Sequence, residues 1–130
     1  MTKILFLCPH NAAKSVLAAA YAKKLAQERG LELVVDTAGT EPDEEVSPVV
    51  AEFLKQQSMD VSTRPRKVTR ADIVSATQII SMGCELEELP LQGETVERWD
   101  DVPSVRQGLR TSWQQIQKKV DALLTKLKPD

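Results

Sequence analysis

Ile4-Leu5-Phe6-Leu7-Cys8-Pro9-His10-Asn11-Ala12-Ala13-Lys14-Ser15, continued by Val16 to Arg29, decides the fold. Ile4 to Leu7 is an unbroken apolar run, short enough for a strand buried on both faces. Val16 to Arg29 is rich in Ala, Leu and Lys, which are good helix formers. Leu17, Tyr21 and Leu25 recur every four residues and give that helix an apolar face. Ser15 stands at the junction as the expected N-cap. Gly30 is the expected C-cap, and Leu31 to Val35 reads as a second strand with β-branched residues at its end. Strand, helix and strand within about 35 residues make a right-handed βαβ unit.

The loop between first strand and helix carries a thiol at Cys8 and an ammonium six positions later at Lys14. Backbone N–H groups of a loop entering a helix bind anions, and the helix dipole adds to this. Those donors and a nearby cation also favour a thiolate. A tetrahedral oxyanion could therefore sit over Pro9, His10, Asn11, Ala12, Ala13 and Lys14 with Cys8 poised to attack it. Lys14 and the Ser15 hydroxyl would stabilise the transition-state charge. The plainer reading is that Cys8 is a small buried hydrophobe at a strand end.

Composition narrows the class. A chain of 130 residues with 42% hydrophobic and 28% charged residues is expected to form one α/β domain over residues 1–130. A net charge of −2 implies no general nucleic-acid affinity. The N-terminal apolar run is too short for a signal peptide, and no window reaches a membrane span. Two cysteines without secretory features read as reduced thiols or a catalytic or redox pair, so the expected setting is cytoplasmic. No cofactor is expected. His10 has no second His or Cys at metal-ligand spacing, so no metal is expected either.

Further along, Asp36 to Glu45 reads as a polar turn region around Gly39 and Pro42. Ser47-Pro48 opens a helix to about Gln57, with Ser47 as N-cap and Pro48 at its first position. Arg64, Arg66, Lys67 and Arg70 form a basic stretch, read as a solvated face or as steering for an anionic substrate. Thr69 to Ala76 is a short helix with Thr69 and Asp72 as a capping box. Thr77 to Met82 is a third strand, ending at Gly83-Cys84. Thr95 to Trp99 is a fourth, followed by Asp100-Asp101-Val102-Pro103. Ser104 is the expected cap of the last helix. That helix repeats Trp113, Ile116, Val120, Leu123, Leu124 and Leu127 at helical spacing, and Lys126 and Lys128 suit its C-terminal dipole. Ligands gather at the carboxyl ends of parallel strands, where both Cys8 and Cys84 fall. They could lie close enough to form a disulfide if a loop moved. Packing alone would equally explain Cys84.

Cys8 to Ser15 resembles the signature loop of the low-molecular-weight protein tyrosine phosphatases and the related thiol-coupled arsenate reductases. That signature is Cys, five residues, Arg, then Ser or Thr, with Asn three residues after the Cys. Cys8, Asn11 and Ser15 match it; Lys14 stands where the family has Arg. Asp36-Thr37-Ala38-Gly39-Thr40 resembles the segment after the family's second strand, whose backbone supports the anion loop. The likeness covers nearly the whole chain. It implies a four-stranded, mostly parallel sheet with helices on both faces, and Cys8 attacking phosphate or arsenate. Lys14 and Ser15 would assist, and Asp101 (or Asp100) would be the general acid. Cys84 lies where the reductases carry a second redox Cys. The third Cys that many of them have is missing, so an external thiol, thioredoxin or glutathione with glutaredoxin, would complete a relay. The sole Tyr, Tyr21, lies on the first helix, which supports phosphotyrosine specificity only weakly. The Arg-to-Lys change also admits an alternative, a catalytically weak or inactive anion-binding regulatory module, because Lys is a point charge and Arg a planar fork.

Overall fold

A computed structural model describes residues 2–127. Four parallel strands form one sheet in the order β2-β1-β3-β4: β1 Thr2–Leu7, β2 Leu33–Ala38, β3 Gln78–Ser81 and β4 Glu97–Arg98. The helices are α1 Lys14–Arg29, α2 Pro48–Gln56, α3 Arg70–Ser75 and α4 Leu109–Lys126. The expected α/β architecture is therefore present. β1 is central because its apolar run serves both faces. Ile4 and Phe6 pack with α1, α2 and α4, whereas Leu5 and Leu7 pack with Ile73 of α3, Val68 and Leu89. All four side chains are fully buried. The register pairs Leu7 with Ala38 on one side and Ser81 on the other, so three strands end side by side. Cys8, Gly39 and the Met82–Cys84 segment leave the sheet there.

Several boundaries move. β2 runs to Ala38, so Asp36, Thr37 and Ala38 belong to the strand rather than to a turn. β1 extends its neighbour's pairing up to Leu7, which overrides the polar composition of that stretch. α1 begins at Lys14, with Ala13 in the cap position, so Ser15 lies inside the first turn and is not the cap. Ser47 precedes α2 without a side-chain capping bond. Ser104 leads into a short 3-10 turn, and α4 starts only after Gly108. The last helix keeps its expected core face: Ile116, Val120, Leu123 and Leu124 are buried. Trp113 instead meets the rings of Tyr21 and Phe53 edge-on at 5.2 and 5.1 Å. Lys126 closes α4, and Lys128 lies outside the described residues. Among the described residues no helix is long and apolar enough to cross a membrane.

The basic stretch is the largest correction. Arg66 makes two hydrogen bonds of 2.9 Å to the Asp72 carboxylate and one of 2.8 Å to Asp36. Arg70 grips Glu94 at 2.8 and 2.6 Å. Two of the four basic residues are thus committed to holding the fold. The sequence pattern could not show this, because their partners lie up to 30 residues away. The capping box at α3 is present as expected, with Asp72 accepting from Thr69 N–H and donating its own N–H to Thr69 Oγ1. Burial opposes ionisation of Asp72, but Arg66 and Thr69 outweigh it and hold its carboxyl below the usual range.

A depressed folded-state carboxyl stabilises the fold above its unfolded pKa, about 3.9, and loses that contribution as pH falls through the folded value. Asp72→Asn should therefore cost about 1–3 kcal/mol at pH 7, and the gap to the parent should narrow steadily below about pH 4. Urea unfolding of both proteins across that range measures it. A gap that stays constant with pH would remove the ion pair as the cause.

Candidate active site: the strand-end thiol loop

Residues 8–13 turn sharply from the end of β1 into α1. Asn11 takes the left-handed conformation, φ 49°, which Asn tolerates better than most residues. The loop carbonyls face outward onto the chain that follows β2. Pro9 O accepts from Glu41 N–H at 2.8 Å, His10 O from Asp43 N–H at 3.0 Å and Ala12 O from Ser47 N–H at 2.9 Å. Among the described residues, the N–H groups of His10, Ala12, Ala13 and Lys14 donate to no group of the chain. A run of unpaired N–H donors at the start of a sixteen-residue helix is an arrangement suited to holding an anion.

Cys8 sits at its base and is 4% exposed. Its Sγ lies 3.0 Å from Ser15 Oγ and accepts the Ser15 N–H at 3.4 Å. Asn11 Nδ2 donates to the same hydroxyl at 2.9 Å. Ser15 and Asn11 are fully buried, and among the described residues no buried side-chain nitrogen or oxygen lacks a partner. The Ser15 hydroxyl therefore serves the thiol rather than the helix end. Gly39 supports the loop from below. A Cβ there would lie 2.5 Å from Pro9 O and 2.7 Å from Cys8 O, so only glycine lets β2 approach this closely. His10 faces solvent, with Nδ1 3.1 Å from Glu41 O and 3.3 Å from the Asp43 carboxylate. Its ring holds the 41–43 segment, while its N–H stays with the cradle.

Lys14 is half-buried. Its ammonium donates to Val102 O across a long 3.5 Å and would lie 3.8 Å from a Cβ on Gly83, beside Pro9. The acidic loop divides. Asp100 accepts from Gly83 N–H at 3.1 Å and pairs with Arg98 at 2.7 Å, which sets it on the Lys14 flank. Asp101 is 69% exposed and pairs with Lys119 of α4 at 3.0 Å. Lys119 holds the Asp101 carboxyl below the usual range. The same Lys119 stands 5.9 Å over the Trp99 ring. Sequence order had favoured Asp101, but α4 draws it away. Lys119 was missed because nothing in a surface helix position signals a loop anchor.

Cys84 belongs to a different core cluster from Cys8. It is buried among Leu5, Leu7, Val68 and Leu89, whereas Cys8 packs on the α1 face. Both thiols are free. Burial, and to a smaller extent the Cys8 charge nearby, push the Cys84 thiol up, against hydrogen bonds from Ser81 and Thr40.

The model of the family described as low molecular weight phosphotyrosine protein phosphatase matches residues 3–101. A Halobacterium salinarum protein named "Putative arsenate reductase" is 30% identical over 135 residues, spanning 99% of this chain and 95% of its own. The thioredoxin-dependent arsenate reductase of Corynebacterium glutamicum superposes with a TM-score of 0.82 at 25% identity, over 97% of this chain and 61% of that one. The low molecular weight protein tyrosine phosphatase of Streptococcus pyogenes also gives 0.82, at 17% identity, over 100% and 95%; that likeness shows the fold.

Gly39→Ala should disrupt the site through backbone collision alone. The contacted atoms are carbonyls that cannot swing aside, so the expected cost is about 3 kcal/mol, the upper end for overpacking. Thermal unfolding measures it. A melting temperature within a degree or so of the parent would mean that the β2 approach is not what shapes the loop.

Proposed function

The chain belongs to the low molecular weight phosphotyrosine protein phosphatase family, and we propose that it is a cysteine-dependent oxyanion enzyme whose Cys8 attacks arsenate held in the 8–15 loop. The observation that carries this is Cys8 Sγ, bonded by Ser15 at 3.0 and 3.4 Å, in the same short loop as N–H groups of His10, Ala12, Ala13 and Lys14 that donate to no group of the described chain. Such a donor set suits a tetrahedral oxyanion. The reductase reading draws support from the arsenate-reductase relative that spans nearly the whole chain and from the second thiol at the end of the neighbouring strand.

The chemistry balances as follows. The Cys8 thiolate attacks As(V), and an oxygen leaves as water, taking a proton from the general acid. A second thiolate attacks the Cys8 sulfur. The S–As bonding pair stays with arsenic, arsenite departs as As(III), and Cys8 is left in a disulfide. Cys84 could supply that second thiol only if the 82–84 segment moved, since it is buried in a different core cluster. An external thiol, thioredoxin or glutathione with glutaredoxin, serves directly or reduces the resulting disulfide. Lys14 supplies one fixed positive charge beside the cradle. We assign the general acid to Asp100, which accepts from Gly83 N–H beside Lys14 and is less exposed than Asp101, at 41% against 69%; each also pairs with a cation, Arg98 and Lys119 respectively.

Phosphate-ester hydrolysis is the second reading. The cradle holds phosphate as well as arsenate, one thiol suffices, and the burial of Cys84 favours a packing role for it. The silent anion-binding module suggested by Lys14 has no specific support among the relatives.

Purified protein should be assayed for arsenate reduction with each thiol system and, in parallel, for aryl-phosphate hydrolysis, with Cys8→Ser and Cys84→Ser as controls. Arsenate turnover abolished by Cys8→Ser and strongly reduced by Cys84→Ser is the expected result. Ester turnover lost only in Cys8→Ser would make the protein a phosphatase, and silence on both substrates would sink the enzyme reading. In whichever assay is active, Asp100→Asn should lower kcat about 100-fold, on the scale of a lost general acid. Asp101→Asn should change it less than about threefold, as expected for an exposed ion pair. The reverse order would restore Asp101 as the acid.

A further inference from the structure

The Arg66 guanidinium bonds Asp36 and Asp72, away from Cys8, yet the site's buried hydrogen-bond chain starts at the Arg66 backbone. Its N–H donates to Asn11 Oδ1 at 3.0 Å. That donor can face only an acceptor, so it fixes which end of the Asn11 carboxamide is oxygen. Nδ2 must then donate to Ser15 Oγ, as it does at 2.9 Å. That donation orients the Ser15 hydroxyl, whose Oγ lies 3.0 Å from Cys8 Sγ. A continuous hydrogen-bonded chain thus runs from Arg66 N–H through Asn11 and Ser15 to the sulfur.

The Arg66 side chain anchors the same residue from outside. Its guanidinium spans Asp72 of α3 and Asp36 of β2, and its carbonyl accepts from Gly39 N–H at 2.9 Å. Asp36 also accepts from Thr37 N–H at 2.8 Å, so the clamp is fastened to the strand that abuts the loop. We propose that Arg66 is a positioning residue, whose ion pairs with Asp36 and Asp72 hold its N–H on Asn11 and so aim the Ser15 hydroxyl at Cys8. The inference rests on Cys8 being the reactive thiol, and its readout needs no substrate.

The test is the rate of Cys8 alkylation by iodoacetamide at pH 6, in a Cys84→Ser background. Arg66→Gln should slow it about three- to tenfold, in line with coupling through one charge-assisted hydrogen bond. Arg66→Lys should restore part of the rate. In an Asn11→Ala background, Arg66→Gln should change the rate less than about twofold, because the residue through which it acts is gone. An unchanged rate in Arg66→Gln with a parental circular dichroism spectrum overturns the proposal. So does an equal slowing with Asn11 already removed. If Arg66→Gln fails to fold, Asp36→Asn cuts one arm of the clamp and leaves Asp72 paired; a rate equal to the parent's there also overturns it. Failure of turnover assays with the alkylation pattern intact would count against the enzyme reading alone.

Discussion

The site depends on where three carbonyl groups point. Residues 8–13, between a buried strand and a helix, carry six carbonyls but only five N–H groups, because Pro9 has none, and such a loop suits an anion only if the acceptors face away. Here Pro9, His10 and Ala12 give their carbonyls to Glu41, Asp43 and Ser47. Satisfying them from outside is what turns the N–H groups inward without leaving buried acceptors unpaired. The 41–47 segment therefore supports the loop, through its backbone N–H groups and through the Asp43 carboxylate beside His10. Its position follows from β2, which must come close enough to deliver it. Gly39 permits that approach, and the parallel pairing of β1 with β2 up to Ala38 directs it.

The same strand ends explain why the two thiols join different core clusters. Residues alternate across a sheet, so the two thiols following neighbouring strands can diverge although their backbones converge. Cys8 stays with the α1 face, where the helix dipole and cradle act on it. Cys84, three residues beyond Ser81, turns to the α3 face and is sealed by Leu5, Leu7, Val68 and Leu89. Any chemistry joining the two thiols requires the 82–84 segment to rearrange, and Gly83 with φ 98° is the one residue in it able to take such a conformation cheaply.

What was legible in the sequence is what depends on neighbours along the chain. The apolar run Ile4–Leu7, the alanine-rich helix, Gly30 as its left-handed cap, and the Thr69–Asp72 capping box are local patterns, and they appear as expected. The α/β architecture followed from them and from the resemblance of the Cys8–Ser15 loop. What failed depends on partners distant in sequence. Ser15 was expected to cap α1, because a serine before a helix usually does; a sulfur seven residues earlier took its hydroxyl. Arg66 and Arg70 were read as a solvated face, because their carboxylates lie on other elements. The ion pair of Asp101 with Lys119 was equally hidden, because no motif connects that α4 residue to the loop.

Lys14 shows how far such context can carry a substitution. A guanidinium in that position would present a fork to two oxygens at once; an ammonium presents a point charge and three rotatable donors. The loss in geometry is real, but the structure divides the task. Directional hydrogen bonds to an oxyanion can come from four backbone N–H groups already fixed by the outward carbonyls. The side chain then has only to supply charge, for which a point source is adequate. The Lys14 ammonium leans on a single backbone carbonyl at 3.5 Å, so little is lost when it turns toward an anion instead. An arginine held by a carboxylate would have to break a stronger contact to do the same. On this argument the lysine relaxes orientation in the site while keeping its sign.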